Sequence, residues 1–189
     1  MKKFILILIL AAIGIAGYQF ITKRGVLSPQ AADGGSSEWE KGTGEPLTIS
    51  SLDATNSKEF KDSTRGLSFR YPDYMDSSIF DDATGDIILV QSTEKAQGFQ
   101  VLITPWDEPE TTLDASMIKR DIPDLKITDP QDVLLGESGK GVAFLSDNES
   151  FGGNSREVWF IYGGNLYQIS TYARLDPLLQ AVLATWKFE

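Results

Sequence analysis

The sequence predicts an α+β sandwich with a mainly antiparallel sheet, preceded by an N-terminal transmembrane helix and a linker. Three observations predict it. An unbroken apolar run from Phe4 to Ile21 follows Lys2-Lys3 and is closed by Lys23-Arg24. A small, polar, aperiodic stretch separates that run from the rest. Beyond it, short segments with strand character alternate with glycine-rich turns, and two segments carry helical signals.

The run from Phe4 to Ile21 would span roughly 27 Å as a helix, close to the ~30 Å of a bilayer core. Residues 1–24 therefore read as a membrane anchor or signal peptide. The small residues Gly14-Ile15-Ala16 would suit cleavage. The apolar character continues past them through Tyr18, Phe20 and Ile21 to a basic pair, which favours an uncleaved anchor. The α-amine, Lys2 and Lys3 outweigh Lys23 and Arg24 by one charge, so the N-terminus is expected in the cytoplasm and the remainder outside it.

Residues 25–62 read as a flexible linker, rich in Gly, Ser and Ala, with Leu47-Thr48-Ile49 as an apolar interruption. The folded domain is placed at 63–189. Leu67-Ser68-Phe69-Arg70-Tyr71 alternates as a half-buried strand and stops at Pro72. Asp86–Val90 and Phe99–Thr104 are β-rich runs. Thr112 to Ile122 is expected to be a helix with Thr112 as its cap, ended by Pro123. Two strand pairs follow, Asp132–Leu135 with Val142–Leu145 and Val158–Tyr162 with Leu166–Tyr172. Gly163-Gly164-Asn165 between the last two tolerates the positive φ of a tight hairpin. In the final helix Asp176 is expected at the N-cap and Pro177 at the first helical position. Leu175, Leu178, Leu179, Val182, Leu183 and Trp186 form its apolar stripe.

The opening Gly66-Leu67-Ser68-Phe69-Arg70-Tyr71-Pro72 resembles the start of the PsbP-like family, named for an extrinsic subunit of photosystem II. The closing Leu183-Ala184-Thr185-Trp186-Lys187-Phe188 resembles that family's C-terminal helix and aromatic end. The resemblance covers roughly residues 60–189. It implies an α/β/α sandwich on an antiparallel sheet and an accessory or binding role, often outside the cytoplasm. The family has no shared catalytic motif, so the resemblance carries over no site residue.

Composition narrows the chemistry. The chain has no cysteine and no histidine. Lipid-modified lipoproteins, disulfides, thiol nucleophiles, Ser-His-Asp triads and His-based metal sites are excluded. Four of the 17 Lys+Arg lie in the first 24 residues and all 27 Asp+Glu lie beyond them, so the remainder carries −14. That charge argues against nucleic acid and anionic lipid as partners.

Candidate sites are few. Gly136–Gly141 lacks the first glycine and the Ser/Thr of a phosphate loop and reads as a hairpin turn. Asp81–Asp86 and Asp147-Asn148-Glu149 could gather oxygens for Ca²⁺ but lack EF-hand spacing, and read as Asx-rich turns. Asp73 beside Tyr74, and Asp107 and Glu108 beside Trp106, offer no carboxylate pair that sequence can place across a cleft. Trp159, Tyr162, Tyr167 and Tyr172 could present an aromatic patch, although an α/β/α layering would bury both faces. Asn148-Glu149-Ser150 matches a glycosylation sequon by pattern alone. No catalytic, cofactor-binding or metal-ligating residue is assigned. The reading is a membrane-tethered extracytoplasmic module with a protein partner and no catalytic role. Its alternatives are a His-free, carboxylate-dependent hydrolase of cell-wall polymer and a secreted protein released by signal cleavage.

Overall fold

A computed structural model describes residues 51–82, 85–92 and 94–189. The anchor or signal at 1–24 and residues 25–50 of the linker lie outside the described residues. No helix among the described residues is long and apolar enough to cross a membrane.

The element order is β1 (Ser57–Asp62), β2 (Leu67–Pro72), β3 (Asp76–Asp82), β4 (Gly85–Ser92), β5 (Gln97–Pro105), α1 (Ala115–Asp121), β6 (Thr128–Leu135), β7 (Gly139–Ser146), β8 (Ser155–Tyr162), β9 (Asn165–Tyr172), α2 (Asp176–Leu183) and β10 (Lys187–Phe188). Short 3₁₀ turns at Glu149–Phe151 and Ala173–Leu175 precede β8 and α2. Seven strands form one antiparallel sheet in the order β3-β4-β5-β9-β8-β7-β6, and β1-β2-β10 form a second, smaller one. The hairpin β8–β9 turns through Gly163 and Gly164, at φ +57° and +73°, as the sequence leads one to expect.

The large sheet is packed on both faces. On one, alternate residues such as Val101, Phe160, Tyr167 and Ile169 meet β1, β2 and the apolar stripe of α2. Phe69 sits at the centre, stacked on Trp186 at 4.6 Å and on Phe60 at 4.9 Å between ring centroids. On the other face, Ile118 of α1 covers Val142, Phe144 and Trp159. The outer layer beside α2 is thus largely strand, and helices are few.

Several boundaries differ from the sequence expectation. The stretch read as linker contains β1, which pairs with β2 over its whole length, and Leu52 is part of the core. The first helix starts at Ala115, because Asp114, a stronger cap than Thr112, accepts from the backbone N–H groups of Ser116 and Met117 at 2.8 and 2.9 Å. The 3₁₀ turn runs straight into α2, so Leu175 takes the cap position and Asp176 lies inside the helix. There its carboxylate accepts from Gln180 at 2.8 Å and pairs with Arg156 at 3.0 Å. The helix ends at Leu183, and Lys187-Phe188 is a strand on β2 rather than its continuation.

Candidate functional site

Three features could support function: a recess where two strands separate, a buried carboxyl cage and an exposed edge strand.

The ladder between β7 and β8 ends at Val142–Trp159, although β7 begins at Gly139 and β8 runs to Tyr162. The unpaired ends enclose a recess of about 240 Å³. Phe160, Tyr162 and Phe188 line it, together with Thr111, Thr112 and Lys140. Phe188 lies 4.3 Å from the Tyr162 ring, and Tyr162 Oη donates to the carbonyl of Glu189 at 2.8 Å. A Cβ on Gly139 would meet Phe188 at 2.3 Å, so glycine is what lets that ring in. The recess has one cation and no carboxylate in its lining.

Glu157 on β8 is 3% exposed. Its carboxyl accepts from Ser155 Oγ at 2.6 Å and Ser170 Oγ at 2.5 Å, with Asn148 Nδ2 and Trp159 Nε1 each at 3.4 Å. Burial raises its pKa above the ordinary carboxylate value, against the lowering effect of these donors. Strand alternation places it on the Trp159 face, which points inward; that was the signal in the sequence, and it passed unnoticed behind the apolar run that follows.

The third feature is β3, the outermost strand at one end of the large sheet. Ile79 is 54% and Phe80 43% exposed, and alternation points them to opposite faces. Just before the strand, Tyr74 donates to Gln97 Oε1 at 2.7 Å, and Lys95 Nζ lies 3.5 Å above its ring. Nothing in the sequence reading singled out this strand.

The predicted sites resolve into structure. Of Gly136–Gly141, residues 136–138 form the β6–β7 turn, and Gly139–Gly141 already belong to β7 and pair with β6. Gly136 stands at φ +58°, and its N–H donates to Leu183 O at 2.9 Å. Asp81 and Asp86 are an opposed pair in the β3–β4 hairpin, where Asp86 pairs with Arg65. In Asp147-Asn148-Glu149, Asn148 Oδ1 accepts from the N–H of Ser150 at 3.1 Å and caps the 3₁₀ turn. Among the described residues, no group of three or more His, Cys, Asp or Glu is placed to hold a metal. Trp106 Nε1 donates to Glu110 O at 2.8 Å, while Asp107 and Glu108 face solvent. The late aromatics form no open patch. Trp159 is buried under α1 and meets Phe144 edge-on at 5.5 Å, and Tyr167 is buried and stacked on Phe160 at 4.8 Å. Tyr172 packs against Phe151 at 5.3 Å. Burial pushes the Tyr167 hydroxyl up to about 12.

No family model and no curated protein matches the sequence. By structure, the chain is similar to cyanobacterial PsbP (CyanoP) from Synechocystis sp. PCC 6803, solved in solution, with a TM-score of 0.51 and 9% sequence identity. The match covers 76% of this chain and 98% of that one. At that identity the likeness speaks for the fold, and it agrees with the motif at Gly66–Pro72. The chain carries a PsbP-like fold.

Proposed function

We propose that the protein is a membrane-tethered, extracytoplasmic accessory module that works by binding a protein partner and performs no catalysis. The observation that carries this reading is the exposed pair Ile79 and Phe80, adjacent on the outermost strand of a PsbP-like fold; Leu134 on the opposite edge strand is exposed singly. Large apolar side chains are costly to leave in water, and two of them on an edge strand, one on each face, suit a partner that pairs along that edge. The apolar run from Phe4 to Ile21 supports the tether, and its basic flanks support the orientation. The fold itself supports an accessory role by analogy.

The test uses the full chain in its native membrane, with a photo-crosslinking amino acid at Phe80 and, as a control, at Glu137 in the β6–β7 turn. Reproducible capture of one protein from Phe80 supports the reading. Capture from neither position overturns the protein-partner reading. Protease digestion of intact cells or spheroplasts tests the orientation: protection of the domain would place it in the cytoplasm and overturn that part.

A further inference from the structure

We propose that β3 recruits its partner by strand addition, and that the segment it takes is extended, apolar at its centre and basic at both ends. This rests on the reading of the protein as a binding module and specifies how that module binds.

The two ends of the large sheet are β3 and β6, and they differ in how well they resist pairing. β6 contains Pro130, holds Asp129 at φ +49°, and slips register between Thr128 and Gln131. Proline, a bulge and irregular backbone are the devices that keep an edge from being extended. β3 has none of them. Its seven residues pair with β4 without a break, from Asp76–Gln91 to Asp82–Gly85. It has no proline and no lysine. The two-residue turn at Gly163-Gly164 makes Tyr162 and Asn165 a hydrogen-bonding pair, and strict alternation carries that phase across β9, β5 and β4 to β3. Alternation from there turns the N–H and C=O groups of Ser77, Ile79 and Asp81 away from β4.

The side chains define what can pair there. Ile79 and Phe80 put apolar surface on both faces at the middle of the strand, while Asp76 and Asp81 stand near its ends. The cations near this edge are already engaged: Lys58 with Asp76 at 2.9 Å, Arg65 with Asp62 and Asp86, and Lys95 on the Tyr74 ring. An incoming strand therefore gains most from β-branched residues at its centre and from lysine or arginine at its ends. A second copy of this chain fits poorly. Two-fold pairing about Ile79 would bring Asp76 and Asp81 of both copies to one seam, like charge facing like charge.

The probe is a short fluorescein-labelled peptide with Val-Ile-Val at its centre and a pair of lysines at each end. One control replaces the lysines with glutamates, and another replaces the centre with Gly-Ser-Gly. Binding to the full chain in neutral detergent is followed by anisotropy at low and high salt, and hydrogen exchange locates the site. Expected is binding about tenfold or more tighter than either control, weakened by salt, with new protection at Ser77, Ile79 and Asp81. Ile79→Pro, which removes an outward N–H, should abolish binding. Asp81→Lys, a surface change with little risk to folding, should weaken it several-fold. Equal binding of the three peptides, no binding, or insensitivity to both substitutions would overturn strand addition. Capture of a partner by the Phe80 cross-linker in those cases would leave the binding-module reading standing. Failure of the cross-linker alongside specific peptide binding would have the reverse meaning.

Discussion

Gly136 provides the most direct test of how the C-terminal segment is locked to the sheet. The residue stands at φ +58°, and a Cβ built on it would lie 1.8 Å from the carbonyl oxygen of Trp186. Gly136→Ala therefore meets two costs. The left-handed backbone costs an L-residue about 1–2 kcal/mol, and the stiffer unfolded chain returns about 0.4–1 kcal/mol. The clash is with backbone and cannot be relieved by rotating a side chain. The β6–β7 turn must move off the C-terminal segment, losing the bond from Gly136 N–H to Leu183 O and loosening Trp186 against Phe69. A lost hydrogen bond costs about 1 kcal/mol and a partly unseated buried aromatic rather more, so about 3 kcal/mol in total is expected. For a chain of this size that is a fall of roughly 6–12 °C in Tm. Gly153→Ala isolates the backbone part. It stands at φ +73° with nothing within 4 Å of its Cβ, so it should cost only about 1 kcal/mol, or roughly 2–4 °C. Thermal melts followed by circular dichroism measure both. Equal shifts for the two substitutions would refute the claim that the Gly136–Trp186 contact holds the closing segment.

Other substitutions probe separate parts of the molecule. Glu157→Gln should lower the dependence of stability on pH. A carboxyl whose folded pKa is raised contributes stability fully below its unfolded value and loses it as pH climbs through the folded one, so the wild type should weaken on the alkaline side of about pH 4.5 while the variant does not. Trp186→Ala, which removes a ring stacked on Phe69 and edge-on to Phe160, should cost about 3–5 kcal/mol in urea denaturation. Tyr162→Phe, which deletes the bond to Glu189 O, should cost about 1 kcal/mol by the same measurement. Phe80→Ser should cost no more than about 1 kcal/mol, because the ring is partly exposed, while reducing capture of a partner by a cross-linker placed at Ile79.

The parts of the fold that could be read from the sequence are those where burial dictates residue type. β4 carries Ile87-Ile88-Leu89-Val90 because both its faces are covered, and β2 alternates because Leu67, Phe69 and Tyr71 face the core. α2 shows a clean stripe because one side packs on the sheet. Where tertiary contacts do the work, the sequence is quiet. β1 is Ser-Lys-Glu-Phe-Lys-Asp, with only Phe60 and Asp62 buried, and its strand form comes from pairing with β2. β10 is two residues long and exists because β2 offers an edge. β3 looks like an Asx-rich turn because an outer strand has little core to fill. Glu157 was missed for a different reason: a lone acid beside Val158-Trp159-Phe160 reads as a strand end until the ladder places Ser155 and Ser170 around it.

A sheet packed on both faces leaves its edges as the natural place for recognition, and the route of the chain bears on which edge. Residues 51–56 lie beside the start of β3: the carbonyl of Asn56 accepts from the N–H of Asp73 at 3.1 Å, and Lys58 Nζ donates to the carbonyl of Met75 at 2.8 Å and bonds Asp76. A tether attached at Ser51 therefore joins the domain next to the unguarded edge rather than beside β6. The 26 residues from Gly25 to Ser50 can span no more than about 90 Å even when fully extended. On the tethered reading, that ceiling confines the search of β3 to the layer just outside the membrane and raises the effective concentration of any partner segment presented there. Lengthening the linker should then weaken cross-linking at Phe80 to a membrane-embedded partner and leave binding of a free peptide unchanged, whereas a partner in bulk solution would be indifferent to linker length.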